Sequence, residues 1–184
     1  MNKRILILGS PGAGKSYFSN YLSERIDVEV FHLDDYYWKE NWEHCSDIEW
    51  YQTLRKILEK ENFIMDGNYV DSIPYRVSAV NTIIYIDTGM ILCLIRYTKR
   101  TLVNLVANGI YLPRKIRDQK YKKLSEKGYF EFCMYIIKFH LKSKKKLIFW
   151  VRQLADKNVF VLTPKEIKVI LRGKGSANDT DLFR

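Results

Sequence analysis

The eight residues Gly9, Ser10, Pro11, Gly12, Ala13, Gly14, Lys15 and Ser16 constrain this chain more than any other stretch of it. They satisfy G-x-x-x-x-G-K-[ST] completely. An apolar run, Ile5-Leu6-Ile7-Leu8, precedes them, and a helical pattern over residues 15–25 follows. Buried strand, glycine-rich turn and helix in that order curl backbone N–H groups around phosphate oxygens and add the positive end of a helix dipole. Lys15 is expected to reach the β- and γ-phosphates of a nucleoside triphosphate, and the Ser16 hydroxyl to ligate Mg²⁺. A glycine-rich turn that binds nothing is the alternative, and the complete motif in its proper setting argues against it.

The rest of the chain alternates in the same manner. Residues 28–33, 63–66, 82–86 and 159–162 read as short buried strands, and residues 90–107 as a helix with apolar positions at helical spacing. Ser46-Asp47-Ile48-Glu49 is a capping box that should open a helix running to about residue 60. Thr163-Pro164-Lys165-Glu166 combines an N-cap, a proline at the first helical position and a glutamate at the third. Residues 129–141 and 147–155 read as further helices, separated by the lysine-rich run 142–146. Strands alternating with helices predict an α/β sandwich around a mostly parallel five-stranded sheet. Residues 1–172 read as one domain, and residues 173–184 as a polar tail predicted to be disordered.

Residues 108–128 are polar, basic and broken by Gly109, Pro113 and Gly128, which predicts a lid insertion. The excess positive charge belongs to one contiguous segment of the chain: residues 96–152 hold 16 Lys and Arg against 3 acids. Phosphate or nucleic acid is the partner such charge suggests. Three cysteines without CxxC spacing read as reduced thiols, and no apolar stretch is long enough to cross a bilayer. These features predict a soluble cytoplasmic protein. No N-K-x-D motif selects guanine, so the size and motifs suit a small kinase better than a GTPase.

The form G-x-P-G-x-G-K-S, with Asp66-Gly67-Asn68-Tyr69 after the third strand, resembles the adenylate-kinase-like P-loop kinases. The set His32-Leu33-Asp34, Trp38, Trp42 and Asp66-Gly67-Asn68-Tyr69 more closely resembles their FlaR-type "DNA topology modulation" branch. The resemblance spans about residues 5–171 and implies a P-loop NTPase sandwich using ATP and Mg²⁺. It departs at Tyr17, the last of the expected nucleotide-binding residues, where many relatives carry Thr. It implies a substrate-side helical segment at about residues 35–61, an Asp34 that orients Mg²⁺ or accepts the proton of the attacking hydroxyl and so positions the acceptor, and an Asp66 that holds Mg²⁺ through water. Gly67 and Asn68 would lie against the substrate.

Arg96 and Arg100 stand four apart on one helix face and match the Arg-x-x-x-Arg with which the similar enzymes enter their lid. Arg114 and Arg117 follow beyond Pro113. Guanidinium groups suit this task because they meet phosphate oxygens bidentately and stay charged. Arg76 is a weaker candidate for a substrate phosphate. Trp38 and Trp42 are candidates to stack on a base or wall an apolar pocket, whereas Trp50 and Tyr51 read as helix packing. The expected activity is transfer of the ATP γ-phosphoryl group to a nucleotide or small-molecule acceptor. The rival expectation is an ATP-binding regulator that contacts DNA through its basic half, although no base-reading motif is recognisable.

Overall fold

The computed structural model describes residues 2–107, 110–113, 116, 126–153 and 158–173. The expected lid, with Arg114 and Arg117, lies largely outside the described residues, as does the tail beyond Gly173.

Strand β1 (Arg4–Gly9) occupies the centre of a five-stranded sheet of order β2-β3-β1-β4-β5. Its neighbours are β3 (Phe63–Asp66) and β4 (Thr82–Ile86), with β2 (Val30–His32) and β5 (Asn158–Leu162) at the edges. Every pairing is parallel. Each strand therefore needs a crossover, and helices cover both faces. Ile5 to Leu8 are all buried because the alternating side chains enter two cores. Leu6 and Leu8 join one core with Trp50, Leu54, Ile73, Phe139 and Leu147, and Ile5 and Ile7 join the other with Phe18, Leu22, Cys93, Ile136 and Ile167.

Helix α1 (Lys15–Ile26) follows the glycine-rich loop, and the four-residue α2 (Asp34–Tyr37) follows β2. A 3₁₀ turn (Glu40–Trp42) leads into α3 (Asp47–Leu58), whose capping box forms as expected, with Ser46 and Glu49 satisfying each other's backbone N–H. Another 3₁₀ turn (Val70–Ser72) and α4 (Ile73–Ser78), which the periodicity had not announced, carry the chain to β4. Then come α5 (Met90–Val106), α6 (Glu126–Lys138), α7 (Lys144–Arg152) and α8 (Pro164–Leu171), the last with its own capping box.

The expected break at the lysine run is absent. A five-residue π-helical turn (Phe139–Ser143) joins α6 to α7, so the lysines lie on continuous helix. Phe139 and Leu147 are fully buried on either side of it, and their anchorage outweighs repulsion among the lysines. Lys144 is paired with Asp87 at 2.7 Å, while Lys142, Lys145 and Lys146 are exposed.

Candidate active site

The loop after β1 derives its shape from contacts with α5. Gly12 has φ of 78°, and a Cβ there would stand 2.7 Å from the Cys93 carbonyl oxygen, so only glycine lets the loop lie on the first turn of that helix. The Ala13 carbonyl accepts from Arg96 Nη1 at 2.8 Å and from the Thr88 hydroxyl at 3.3 Å. On the other flank the Gly9 N–H donates to Asn68 Oδ1 at 3.2 Å, which ties the loop to the segment after β3.

Gly14 enters α1 in a left-handed conformation and provides no side-chain cap, and the helix carries no acid in its first turn. Its leading N–H groups and dipole are therefore left for an anion. The Lys15 ammonium donates to the Gly9 and Ser10 carbonyls at 3.0 and 3.2 Å, so one of its three N–H bonds is spare. Burial lowers the Lys15 pKa, and the charges of Asp66 and Asp34 oppose that shift. Ser16 and Tyr17, in the first turn of α1, are exposed.

Across the loop stand two carboxylates. Asp66 ends β3, where it is only 4% exposed, and its register partner in β2 is His32. Asp66 Oδ2 accepts from His32 Nδ1 at 2.9 Å and from Ser19 Oγ at 2.8 Å. His32 Nε2 donates to Asn20 Oδ1 at 3.0 Å, so both ring nitrogens donate. Burial would lower the His32 pKa, but the Asp66 hydrogen bond and charge outweigh burial and raise it.

Asp34 opens α2 and is exposed, and Oδ1 accepts from the Tyr69 hydroxyl at 2.6 Å. Burial and then the Asp34 charge hold the Tyr69 phenol protonated far above its ordinary value. Partial burial and the same Asp34 charge raise Tyr135 on α6. Arg100, whose guanidinium lies 5.7 Å from the Tyr97 ring centre, is lowered by burial and raised by the Asp34 charge. Lys15, Asp66, Asp34, Arg96 and Arg100 thus share one region of field at the carboxyl ends of the strands, where ligands of open α/β sheets bind.

Arg76 is not there. It is fully buried beneath the Asp66–Tyr69 segment, and its guanidinium donates to the carbonyls of Gly67 at 2.8 Å, Asn68, and Tyr69 at 3.1 Å, and to Ser72 Oγ at 3.2 Å. Burial pushes its pKa down to about 9, which leaves the group charged at neutral pH. Gly67, with φ of 135° and Leu33 Cβ 2.8 Å from where its own Cβ would be, lets the segment turn over this clamp. Trp38 and Trp42 meet edge to face at 5.6 Å, with Trp42 43% exposed. Trp50 is buried against Tyr37 and Tyr69, at 5.1 and 4.8 Å, and supports the ring that reaches Asp34.

Ser19 had no readable signal in the sequence, and His32 was legible only as part of the His32-Leu33-Asp34 set. His32 and Ser19 are brought to Asp66 by strand register and by the first helix turns. His140, in the π-helical turn, places Nε2 3.1 Å from the Thr88 carbonyl and Nδ1 3.4 Å from the Ser10 hydroxyl, so that turn touches the glycine-rich loop.

No protein-family model and no curated protein sequence matches the chain. Solved structures do resemble it. A shikimate kinase from Bacteroides thetaiotaomicron is 12% identical with a TM-score of 0.52 over 98% of each chain. A sugar kinase from Janibacter sp. HTCC2649 is 11% identical with a TM-score of 0.53, covering 99% of this chain and 96% of that one. At such identities the likeness is one of fold, an all-parallel five-stranded sheet flanked by helices of the P-loop NTPase α/β type.

Proposed function

We propose that this protein is an ATP-dependent phosphotransferase acting on a small-molecule or nucleotide acceptor. The observation that carries the reading is that two cationic groups, Lys15 and Arg96, bond to carbonyls of one glycine-rich loop while the charges of Asp66 and Asp34 act on Lys15. Loop amides, the α1 N-terminus and Lys15 hold the β- and γ-phosphates. Asp34 orients the acceptor hydroxyl, and Tyr69 holds Asp34 in place. Arg96 and Arg100, with Arg114 and Arg117 from the expected lid, meet the charge on the transferring group. Trp38 and Trp42 wall the acceptor side.

Ser16 and Asp66 supply hard oxygen donors, as Mg²⁺ requires. Among the described residues no cluster of three or more His, Cys, Asp or Glu could hold a metal by itself. Mg²⁺ is usually held by one or two carboxylates plus phosphates and water. Mg²⁺ bound there would draw charge from the phosphate oxygens. The FlaR-type likeness belongs to this proposal as its finer form.

The test is incubation with MgATP and a panel of nucleosides, nucleotides and small alcohols, with ADP formation as readout. Acceptor-dependent ADP is expected, and none with any acceptor counts against the reading. The concentration of positive charge in residues 96–152 favours a second reading, a nucleotide-binding regulator of DNA. Among the described residues no helix is long and apolar enough to cross a membrane.

A further inference from the structure

The carboxylate of Asp66 is held asymmetrically. Both of its protein hydrogen bonds fall on one oxygen: Oδ2 accepts from His32 Nδ1 at 2.9 Å and from Ser19 Oγ at 2.8 Å. Oδ1 has no protein donor among the described residues. It is not a sealed, unsatisfied atom either, because the one such atom among the described residues is Arg4 Nε. Each donor is itself fixed. His32 faces Asp66 in the β2–β3 register and is held at its far nitrogen by Asn20 Oδ1 at 3.0 Å. Ser19 is wholly buried one turn into α1, and its hydroxyl also lies 3.1 Å from the carbonyl of Ser16. One serine hydroxyl therefore stands between the residue that would ligate the metal from the loop and the residue that would meet it from β3.

Resting on the phosphotransferase reading above, we infer that His32 and Ser19 are positioning residues that fix the rotation of the Asp66 carboxylate, committing Oδ2 to the protein and presenting Oδ1 to the water shell of the metal–triphosphate. A carboxylate with one oxygen bound twice loses its freedom to swing, so the cost of ordering it is met at folding and not at each binding event. Donors behind a ligating group commonly change metal affinity about 10- to 100-fold when removed. His32 touches neither phosphate nor acceptor in this scheme.

The test measures metal binding and needs no turnover. Mn²⁺ is titrated into the protein saturated with a non-hydrolysable ATP analogue, with free Mn²⁺ read by electron paramagnetic resonance, and analogue affinity is measured separately in chelator. His32→Leu removes the donor, and His32→Asn returns an N–H near the position of Nδ1. Ser19→Ala removes the second donor by a smaller change. His32→Leu and Ser19→Ala are each expected to weaken Mn²⁺ binding about tenfold or more, with metal-free analogue affinity unchanged and His32→Asn within about threefold of the parent. Circular dichroism and the thermal midpoint identify a variant that has lost its fold, in which case Ser19→Ala carries the decision. Parental Mn²⁺ affinity in the folded variants overturns the inference, as does equal weakness of His32→Asn and His32→Leu. A parent that binds the analogue without retaining Mn²⁺ overturns the metal reading of Asp66 along with it. A parent that binds no analogue overturns the phosphate-loop reading itself.

Discussion

The Tyr69 hydroxyl donates to Asp34 Oδ1 at 2.6 Å, across 35 residues of sequence and from the end of one strand to the end of another. Asp34 is exposed, and an exposed aspartate at a helix start usually moves freely. Here one oxygen is tethered by a phenol whose ring is wedged against Tyr37 at 4.5 Å and Trp50 at 4.8 Å. The aromatic cluster thus aims a carboxylate.

Tyr69→Phe keeps the wedge and removes the tether. A hydrogen bond to a charged group contributes about 1.5–3 kcal/mol, which corresponds to a loss of roughly 10- to 100-fold in kcat/KM for transfer. Asp34→Asn should lose roughly a hundredfold or more while ATP affinity is unchanged. Steady-state kinetics with the acceptor found in the ADP screen, together with calorimetry for ATP, check both. If Tyr69→Phe turns over at the parental rate, the tether does not serve the reaction.

Lys15→Ala is expected to abolish ATP binding with the fold intact. The ammonium's contacts are with two loop carbonyls, so its loss removes phosphate charge pairing but no core contact. Equal ATP affinity of variant and parent at matched Mg²⁺ would falsify this role.

Local signals carried most of the fold. The β3 and β4 limits, both capping boxes and the α5 start follow from periodicity and capping chemistry, which act within a few residues. The lysine run misled because charge was read as a breaker, whereas the buried Phe139 and Leu147 were the stronger signal. In the site, the loop was legible because eight consecutive residues define it. Arg76 was not, because an arginine clamping carbonyls nine residues back and one reaching a phosphate look alike in sequence. The Tyr69–Asp34 and His32–Asp66 contacts arise from strand order, which no local pattern encodes.

Arg76→Ala should therefore act on stability before it acts on chemistry. It strips donors from three backbone carbonyls and one hydroxyl in a dry site, and each bare buried group costs about 1–3 kcal/mol. A loss of at least about 3 kcal/mol is expected from urea unfolding at neutral pH, where the guanidinium is charged. Arg76→Lys should recover only part, because one ammonium cannot span the three carbonyls. A change under about 1 kcal/mol for Arg76→Ala would leave the clamp without a structural role.

Acid should loosen the start of α3. The Glu49 carboxylate is held down to about 2, first by the Lys39 ammonium and then by the Ser46 backbone N–H and hydroxyl. Its folded pKa lies below its ordinary 4.5. The stabilising contribution is therefore present above pH 4.5 and is lost as pH falls from there towards 2. Glu49→Gln should flatten the thermal-midpoint profile in that window and leave it parallel to the parent at pH 6–8. An unchanged acid slope in the variant would assign the slope to other carboxylates.

The basic half of the chain decides between phosphoryl transfer and DNA contact, and Arg96 and Arg100 are where the two readings diverge. Arg96 is bonded to the Ala13 carbonyl of the glycine-rich loop, and Arg100, one turn further along α5, feels the Asp34 charge. If they serve the transferring group, Arg100→Ala should slow transfer by roughly 100-fold while ATP affinity changes less than about threefold, as for contacts strongest in the transition state. Arg96→Ala should show the same split, with some loss of ATP affinity because the loop loses a brace at Ala13. The exposed Lys142, Lys145 and Lys146, on the opposite end of the same basic segment, should be dispensable: their replacement by Gln leaves transfer unchanged. A DNA surface gives the reverse pattern. Duplex affinity would fall with salt at a log–log slope of about −0.9 per phosphate contacted, and the three lysine substitutions would flatten that slope. Tight, salt-dependent duplex binding that needs Lys142, Lys145 and Lys146, in a protein whose ATP turnover is insensitive to Arg100→Ala, would overturn the phosphotransferase assignment.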